Sequence, residues 1–134
     1  RYYEQYLDFI PVALDRPTAR EVAAHILYQA AELHTRYADH TGCLGINGVL
    51  AGSDDAEAVR KALIDARAEG EAMLRKRFEK AKTEGDLPAS TDAAALASFV
   101  LTVLHGMAVQ AKAGFSRERL ERIADQALCA WPQA

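Results

Sequence analysis

The chain has only two cysteines among its 134 residues, and it lacks a recognisable signal peptide and a long apolar run. Cys43 and Cys129 stand far apart and do not have the spacing of a metal or redox motif. Such cysteines predict reduced thiols in a cytoplasmic protein rather than a disulfide-stabilised secreted one. Because no apolar run reaches the ~20 residues of a membrane span, we expect no membrane partner.

Motifs that would indicate an enzyme are also missing. The sequence has no phosphate-binding glycine loop with lysine, no dinucleotide fingerprint and no nucleophile elbow. The Glu-x-x-His repeats that hold two metal ions inside a helical bundle do not occur. The histidines are scattered and lack the close ligand pairs of a zinc site: His25, His34, His40 and His105. We therefore predict no catalytic residue, no cofactor and no metal.

Positive charge is too weak and too mixed for a surface that binds nucleic acid. The formal net charge is −3. The lysines and arginines of residues 60–82 alternate with aspartates and glutamates, a pattern that indicates a solvated helix face. Since DNA-binding proteins neutralise phosphates with a basic surface, we predict that this chain alone does not bind duplex DNA.

Helical patterns cover most of the sequence, and no convincing strand pattern occurs. Half of the residues are hydrophobic, alanine is frequent and β-branched runs are few. These features predict an all-α bundle of five to six helices that forms one domain over residues 1–134. A capping box predicts a helix start at Thr18, and Gly85 followed by Pro88 predicts the end of the longest helix.

Residues 42–52 contain four glycines in a segment that otherwise has an apolar helical pattern. Spacings of three and four place Gly45, Gly48 and Gly52 on one helix face. Each interior glycine costs a helix about 1 kcal/mol relative to alanine, so the missing side chains call for a reason. The bare face suits close packing of a second helix or close approach of a ligand, and the sequence leaves both open.

Several segments follow one another in an order and spacing that are typical of one protein family. A Gly-Cys-Leu-x-x-Asn helix start occupies residues 42–47, and a long helix ends in Glu-Gly-Asp-Leu-Pro at residues 84–88. A penultimate helix carries glycine and glutamine at residues 106–114, and a last helix runs from Ser116 to Trp131. Together these segments resemble the C-terminal regulatory domain of TetR/AcrR-type bacterial transcriptional repressors. In that family the positions of Gly45 and Gly48 usually hold bulkier apolar residues.

The resemblance implies a domain that binds a small effector and forms a dimer. An N-terminal helix-turn-helix domain would bind operator DNA, and ligand would favour a conformer whose two DNA-reading heads no longer match the grooves. The chain begins at Arg1 without methionine, inside an amphipathic segment, so we expect the DNA-binding domain upstream.

A ligand cavity is expected between the first helices and residues 42–52. Aromatic side chains with a few polar groups can surround a flat apolar molecule and bind its polar end, which predicts a small apolar effector. The candidate contacts are Tyr6, Phe9, His25, Tyr28, Asn47 and Phe99.

A two-fold homodimer is expected through the last two helices, which would form a four-helix bundle with those of the partner. The helix from Asp92 to Ala113 is apolar nearly all round, so it needs cover on both sides, and we expect a second subunit to supply the second cover. The candidate contacts are Leu101, His105, Ala108, Lys112, Leu128 and Trp131.

Two other functions stay open at this point. One is a small helical-bundle enzyme or carrier for an apolar substrate, and the other is a purely structural dimerisation module. A basic helix-turn-helix upstream of Arg1 would favour the regulator. Binding of an apolar compound without control of DNA would favour the enzyme or carrier, and a dry, fully packed interior would favour the structural module.

Overall fold

A computed structural model describes residues 10–36 and 57–134 of the chain. Within these ranges the regular elements are helices: α1 (Ala19–Thr35), α2 (Glu57–Thr83), α3 (Ala93–Lys112) and α4 (Arg117–Cys129). Residues 10–13 are helical as well. The described part contains no strand, and the prediction of an all-α fold is confirmed. The glycine-faced segment that the sequence analysis places at residues 42–52 lies outside the described residues.

Three of these four helices begin at a side-chain cap, and the cap at Thr18 is the one that the sequence predicts. Oγ1 of Thr18, Oδ1 of Asp92 and Oγ of Ser116 each accept a hydrogen bond from the backbone N–H three residues further on, at 3.0–3.2 Å. Each cap satisfies one of the N–H groups that the first helical turn leaves without a partner. The starts of α1, α3 and α4 are therefore encoded locally.

The end of α2 is also local in origin. Gly85 has a φ of 82°, a conformation that glycine adopts without steric cost. The backbone N–H groups of Asp86 and Leu87 then both donate to the carbonyl of Ala81, at 2.8 and 3.2 Å. Pro88 follows and cannot continue the helix. The predicted stop at Gly85 is confirmed.

Helix α3 lies at the centre of the bundle and packs against α1, α2 and α4. The ring of Phe78 on α2 meets that of Trp131, just after α4, edge to face with centroids 5.7 Å apart. The largest fully buried side chains come from every helix and include Ile26, Leu27, Leu74, Phe78, Leu104, Met107 and Leu120. This shared apolar interior holds the bundle together.

By length and composition α3 is apolar enough to cross a membrane, with a mean hydropathy of 1.6. The expectation that no segment reaches this length is therefore wrong for Ala93–Lys112. A central core helix passes the same test, and α3 contacts three other helices of the bundle. Only 44% of its apolar window is buried within the protomer, so a large apolar part of its surface stays uncovered.

Two buried polar contacts fix the turn that leads into α1. Arg77 of α2 donates from Nε to the carbonyl of Leu14 at 3.2 Å and from Nη2 to those of Arg16 and Pro17. Oδ2 of Asp86 accepts a hydrogen bond from the backbone N–H of Ala19 at 2.7 Å. The helical residues 10–13 are thereby held at a defined position beside α2, and this position shapes the site described next.

Candidate functional site

A cavity of about 250 Å³ lies between residues 10–11, α2 and α3. A wider and more open recess of about 410 Å³ adjoins it on the α2–α3 side and shares Arg67, Leu101 and His105 with it. The lining of the cavity is mainly apolar and comprises Ile10, Pro11, Ala66, Arg67, Glu69, Gly70, Met73, Leu101 and His105. Such a mainly apolar cleft between helices, with a few polar groups, is the usual form of a small-molecule site.

Small residues of α2 leave room for the cavity. Gly70 and Ala66, one turn apart, lie on the face of α2 that meets Ile10. A Cβ atom added at Gly70 would lie 3.6 Å from Cδ1 of Ile10, which is an ordinary van der Waals contact. A larger side chain at position 70 would therefore occupy the space between α2 and residues 10–11.

The polar wall of the cavity is formed by Arg67 and His105. Nη2 of Arg67 lies 3.4 Å from Nδ1 of His105, and because a guanidinium can only donate, Nδ1 acts as the acceptor. Burial first, and the nearby charges of Arg67 and His34 second, together lower the pKa of His105 to about 4. The imidazole is therefore neutral at physiological pH, and Arg67 carries the positive charge of this wall.

Arg67 has an unusual set of neighbours for a residue of α2. Its Nε atom is buried and has no hydrogen-bond acceptor among the described residues. In the same part of the chain, no carboxylate lies within 4.0 Å of its guanidinium. The carboxylate one turn further on, Glu71, instead accepts a hydrogen bond from the hydroxyl of Ser98 on α3. The positive charge is thus available to a molecule in the cavity.

The predicted ligand contacts do not meet in this cavity. Tyr6, Phe9 and Asn47 lie outside the described residues. His25 and Tyr28 line a shallow surface groove on α1, which also contains Arg16. Phe99 is 40% exposed on the outside of α3 and does not reach the cavity.

The two residues of the surface groove have local partners. Tyr28 donates a hydrogen bond to Asp125 of α4, and this bond is the main reason that its pKa is raised to about 12. The pKa of His25 is lowered by burial and by the charge of Arg16, whose guanidinium lies against its ring. Both side chains therefore tie α1 to its neighbours, and the groove around them is too open to enclose an apolar ligand.

The predicted dimer contacts lie mostly inside the protomer. Leu101 and His105 line the cavity, and the other apolar candidates are buried within the protomer: Ala108, Leu128 and Trp131. Side chains that are buried inside one protomer do not present a surface to a second one. Among the six candidates only Lys112 is exposed. Because α3 is apolar on both faces, its periodicity alone does not reveal which face points inward.

One exposed stripe of α3 is uncharged and mainly apolar along five turns. We call this surface the outer face of α3; its residues follow spacings of three and four and are Ala95, Phe99, Thr102, Gly106, Val109 and Ala113. Phe99 and Val109 are 40% and 47% exposed. The hydroxyl of Thr102 donates to the carbonyl of Ser98 at 2.7 Å, so its polar group is already satisfied within the helix.

Sequence reasoning missed the residues that form the cavity. The charge pattern of residues 60–82 places Arg67 on the solvated face of α2, because its spacing does not distinguish it from the neighbouring charged residues. Gly70 carried a usable signal, because it is a glycine in the middle of a long apolar stripe. The sequence carries no signal that Ile10 and Pro11 contact α2, since this contact depends on the turn that Arg77 holds.

Comparison with known proteins agrees with the helical order. Residues 21–127 match the family model of the tetracyclin repressor-like C-terminal domain. The chain belongs to the TetR family of transcriptional regulators. The match confirms the resemblance noted in the sequence, and the relative described next is named a transcriptional repressor.

Individual relatives support the same assignment. The HTH-type transcriptional repressor ComR of Escherichia coli K12 is 30% identical over 92 residues, which are 69% of this chain and 44% of ComR. The chain therefore spans less than half the length of that relative. A cysteine variant of the TetR family regulator CifR, in complex with 26-base-pair operator DNA, superposes with a TM-score of 0.86. It is 39% identical, and the superposition covers 98% of this chain and 69% of the CifR chain.

A second solved structure has the same fold. A TetR regulator from Rhodococcus sp. RHA1 superposes with a TM-score of 0.74 at 32% identity, covering 94% of this chain and 67% of its own. These likenesses extend over nearly the whole chain, so the arrangement of α1 to α4 is the shared architecture of the family's C-terminal domain.

Proposed function

We propose that this domain binds a small effector with an apolar body in the cavity between residues 10–11, α2 and α3, and that binding releases a repressor from its operator. The observation that carries the proposal is the mainly apolar cavity with one polar wall at Arg67 and His105. A fully packed interior would have favoured a purely structural module. ComR and CifR act on DNA according to their names, which supports a regulator over an enzyme or carrier.

The position of the cavity suggests how binding would reach the DNA. A ligand there contacts Ile10 and Pro11, which immediately precede the turn that Arg77 and Asp86 hold against α2 and α1. Displacement of residues 10–13 would shift the population of conformers in the segment that leads into the bundle. We place operator recognition in a separate N-terminal helix-turn-helix domain outside residues 1–134, since the net charge of −3 does not suit a DNA-binding surface.

We also propose that the domain forms a two-fold homodimer through the outer face of α3. The proposed occupant of that face is a second copy of the same face, because the stripe is apolar, uncharged and long enough to pair with itself. Gly106 lies in its middle, and nothing lies within 4 Å of the Cβ that would be added there, so a second helix can approach closely. The exposed residues of α4, such as Arg119 and Arg122, suit the polar rim of this interface.

A regulator that acts on bacterial operator DNA works in the cytoplasm, and we propose that location for this protein. The exposed thiol of Cys129 agrees with a reducing compartment. The helix α3, despite its hydropathy, then serves as core on one side and as dimer contact on the other.

The cavity is tested with a neutral apolar fluorophore, N-phenyl-1-naphthylamine, titrated into the purified chain. We expect one saturable site per protomer, and we expect Gly70→Leu to weaken binding at least about tenfold because the new side chain fills the cavity. Ala72→Leu is the matched control, since Ala72 is exposed on the same helix and lines neither recess. Unchanged binding by a folded Gly70→Leu variant would contradict the proposal.

A further inference from the structure

We propose that the effector is a small amphipathic carboxylate, whose carboxylate group pairs with Arg67 while its apolar body lies against Ile10, Met73 and Leu101. This inference rests on the proposed function, because it assigns a chemical class to the ligand of the same cavity. Three observations support it: the hydrogen-bond donors of Arg67 that have no acceptor, the apolar and acidic residues of the lining, and the volume of the cavity.

Arg67 is half-buried and has no carboxylate partner among the described residues, whereas Arg75 and Lys76, which also lack one, are exposed to solvent. Arg60 pairs with Glu57, and Lys61 pairs with Asp65, each at 3.4 Å along the helix surface. Lys80 and Lys82 pair in the same way with Glu84 and Glu79. Arg67 has a glutamate at the equivalent spacing, but Glu71 is turned to the hydroxyl of Ser98. The carboxylate of Glu71, which could pair with Arg67, therefore accepts a hydrogen bond from Ser98 instead.

The guanidinium of Arg67 also has unused donors in a sheltered position. It is half-buried and its Nε has no acceptor among the described residues. In the same part of the chain, its Nη2 meets the imidazole nitrogen of His105. A buried donor without an acceptor costs free energy, and a carboxylate supplies two acceptors in the planar geometry that a guanidinium matches. Because burial holds the pKa of His105 low, the imidazole accepts from Arg67 and does not compete with it for an anion.

The acidic residues around the site limit the charge of the ligand. Glu69 belongs to the lining of the cavity, but it is an exposed residue. Glu71 belongs to the wider recess, where Ser98 hydrogen-bonds to it. With the guanidinium of Arg67 near two carboxylates, the site suits a ligand with a single negative charge. Glu69 and Glu71 would repel a phosphate dianion more strongly. The rest of the lining offers apolar surface to a hydrocarbon or aromatic body.

The volume limits the length of that body. About 250 Å³ is below the roughly 300–1,000 Å³ typical of pockets for drug-sized ligands, so the molecule is a small one. A carboxylic acid with an aliphatic chain of about eight carbons is a suitable probe, since each buried CH₂ adds to its affinity.

The test compares three probes with one hydrocarbon chain and different head groups: octanoate, 1-octanol and octylamine. Each is titrated at pH 7.5 into the purified chain, and displacement of N-phenyl-1-naphthylamine gives its affinity. We expect octanoate to bind about 10- to 100-fold more tightly than 1-octanol, and octylamine to bind most weakly, as a charge-assisted hydrogen-bonded pair would produce.

The variant Arg67→Met keeps the apolar stem and removes the charge. We expect this variant to bind octanoate only as tightly as 1-octanol. Its affinity for 1-octanol should equal that of the unchanged chain. Arg67→Lys keeps the charge without the planar fork and is expected to retain an intermediate preference for octanoate. Arg75→Met, an exposed position on the same helix outside both recesses, is the matched control and should bind like the unchanged chain.

The outcomes separate this inference from the function on which it rests. Equal affinity for octanoate and 1-octanol, unaltered by Arg67→Met but abolished for both by Gly70→Leu, would overturn the carboxylate and leave the effector cavity standing. Probe binding that Gly70→Leu does not alter would overturn the cavity and the carboxylate together.

Discussion

Nη2 of Arg67 lies 3.4 Å from Nδ1 of His105, so a permanent cation and a titratable ring share one wall of the cavity. His105 is 8% exposed, and its pKa is lowered from 6.5 to about 4 by burial first and by the charges of Arg67 and His34 second. The contact is compatible only with a neutral imidazole, because an imidazolium has no acceptor for the guanidinium.

Acid is therefore expected to destabilise the fold through His105. Its folded pKa lies below its unfolded value, so the unfolded chain binds more protons between pH 6.5 and 4 and stability falls as the pH falls through that range. A shift to about 4 corresponds to a loss of roughly 3 kcal/mol on going from pH 7 to pH 4. Urea denaturation of the unchanged chain and of the His105→Leu variant, each at pH 7 and at pH 4, measures this loss. The variant should lose less stability than the unchanged chain; an equal loss would contradict the assignment.

Substitution of glycine by alanine should have opposite effects on stability at Gly70, inside α2, and at Gly85, just after its end. Gly70→Ala should stabilise the chain by about 0.5–1 kcal/mol, because alanine favours the helix and its Cβ would meet Ile10 at an ordinary distance. Gly85→Ala should destabilise it by about 1–2 kcal/mol, because the φ of 82° is unfavourable for a side chain. Urea denaturation of both variants tests the pair. A loss of stability in Gly70→Ala would mean that α2 and residues 10–11 pack more tightly than described.

A charge on the outer face of α3 should break the proposed dimer. Val109→Glu places a carboxylate in an apolar, uncharged stripe, so burial against a second subunit becomes costly. We expect the unchanged chain to sediment as a dimer at micromolar concentration and Val109→Glu as a monomer with nearly unaltered helix content. Ala72→Glu, at an exposed position of α2, is the control and should remain dimeric. A monomeric unchanged chain would exclude the dimer.

The turn before α1 should depend strongly on Arg77. This residue is 9% exposed and donates to three backbone carbonyls, of which that of Arg16 is the nearest at 3.0 Å. Arg77→Met should reduce the free energy of unfolding by about 2–3 kcal/mol, because three backbone carbonyls lose a charged donor. Arg75→Met, which alters an exposed side chain, should change it by less than about 0.5 kcal/mol. Similar small changes in both variants would mean that Arg77 does not fix the turn.

The isolated chain should not recognise operator DNA. Its net charge of −3 and the alternation of acids and bases on α2 leave no basic surface for phosphates. Fluorescence anisotropy with a 26-base-pair duplex, the operator length seen with CifR, should show no sequence-dependent binding in the micromolar range. Sub-micromolar, sequence-dependent binding would contradict the proposed separation of DNA recognition from this domain.

Local chemistry let the sequence predict where several helices begin and end. The hydroxyl of Thr18 caps α1, the carboxylate of Asp92 caps α3, and Gly85 ends α2 in a conformation that favours glycine. These features involve residues only a few positions apart, so their geometry follows from the chain itself. The order of the same segments was also sufficient to predict the family.

Packing alone decided which faces of these helices point inward. Ala108 and Val109 are neighbours in an apolar helix, yet one is buried in the protomer and the other is exposed. Arg67 resembles the other charged residues of α2 in the sequence, and only the pairing of Glu71 with Ser98 leaves it without a carboxylate. Helical periodicity relates residues on one helix to each other but does not orient that helix against its neighbours. The cavity and the outer face of α3 both follow from that orientation, which depends on contacts between residues far apart in the chain.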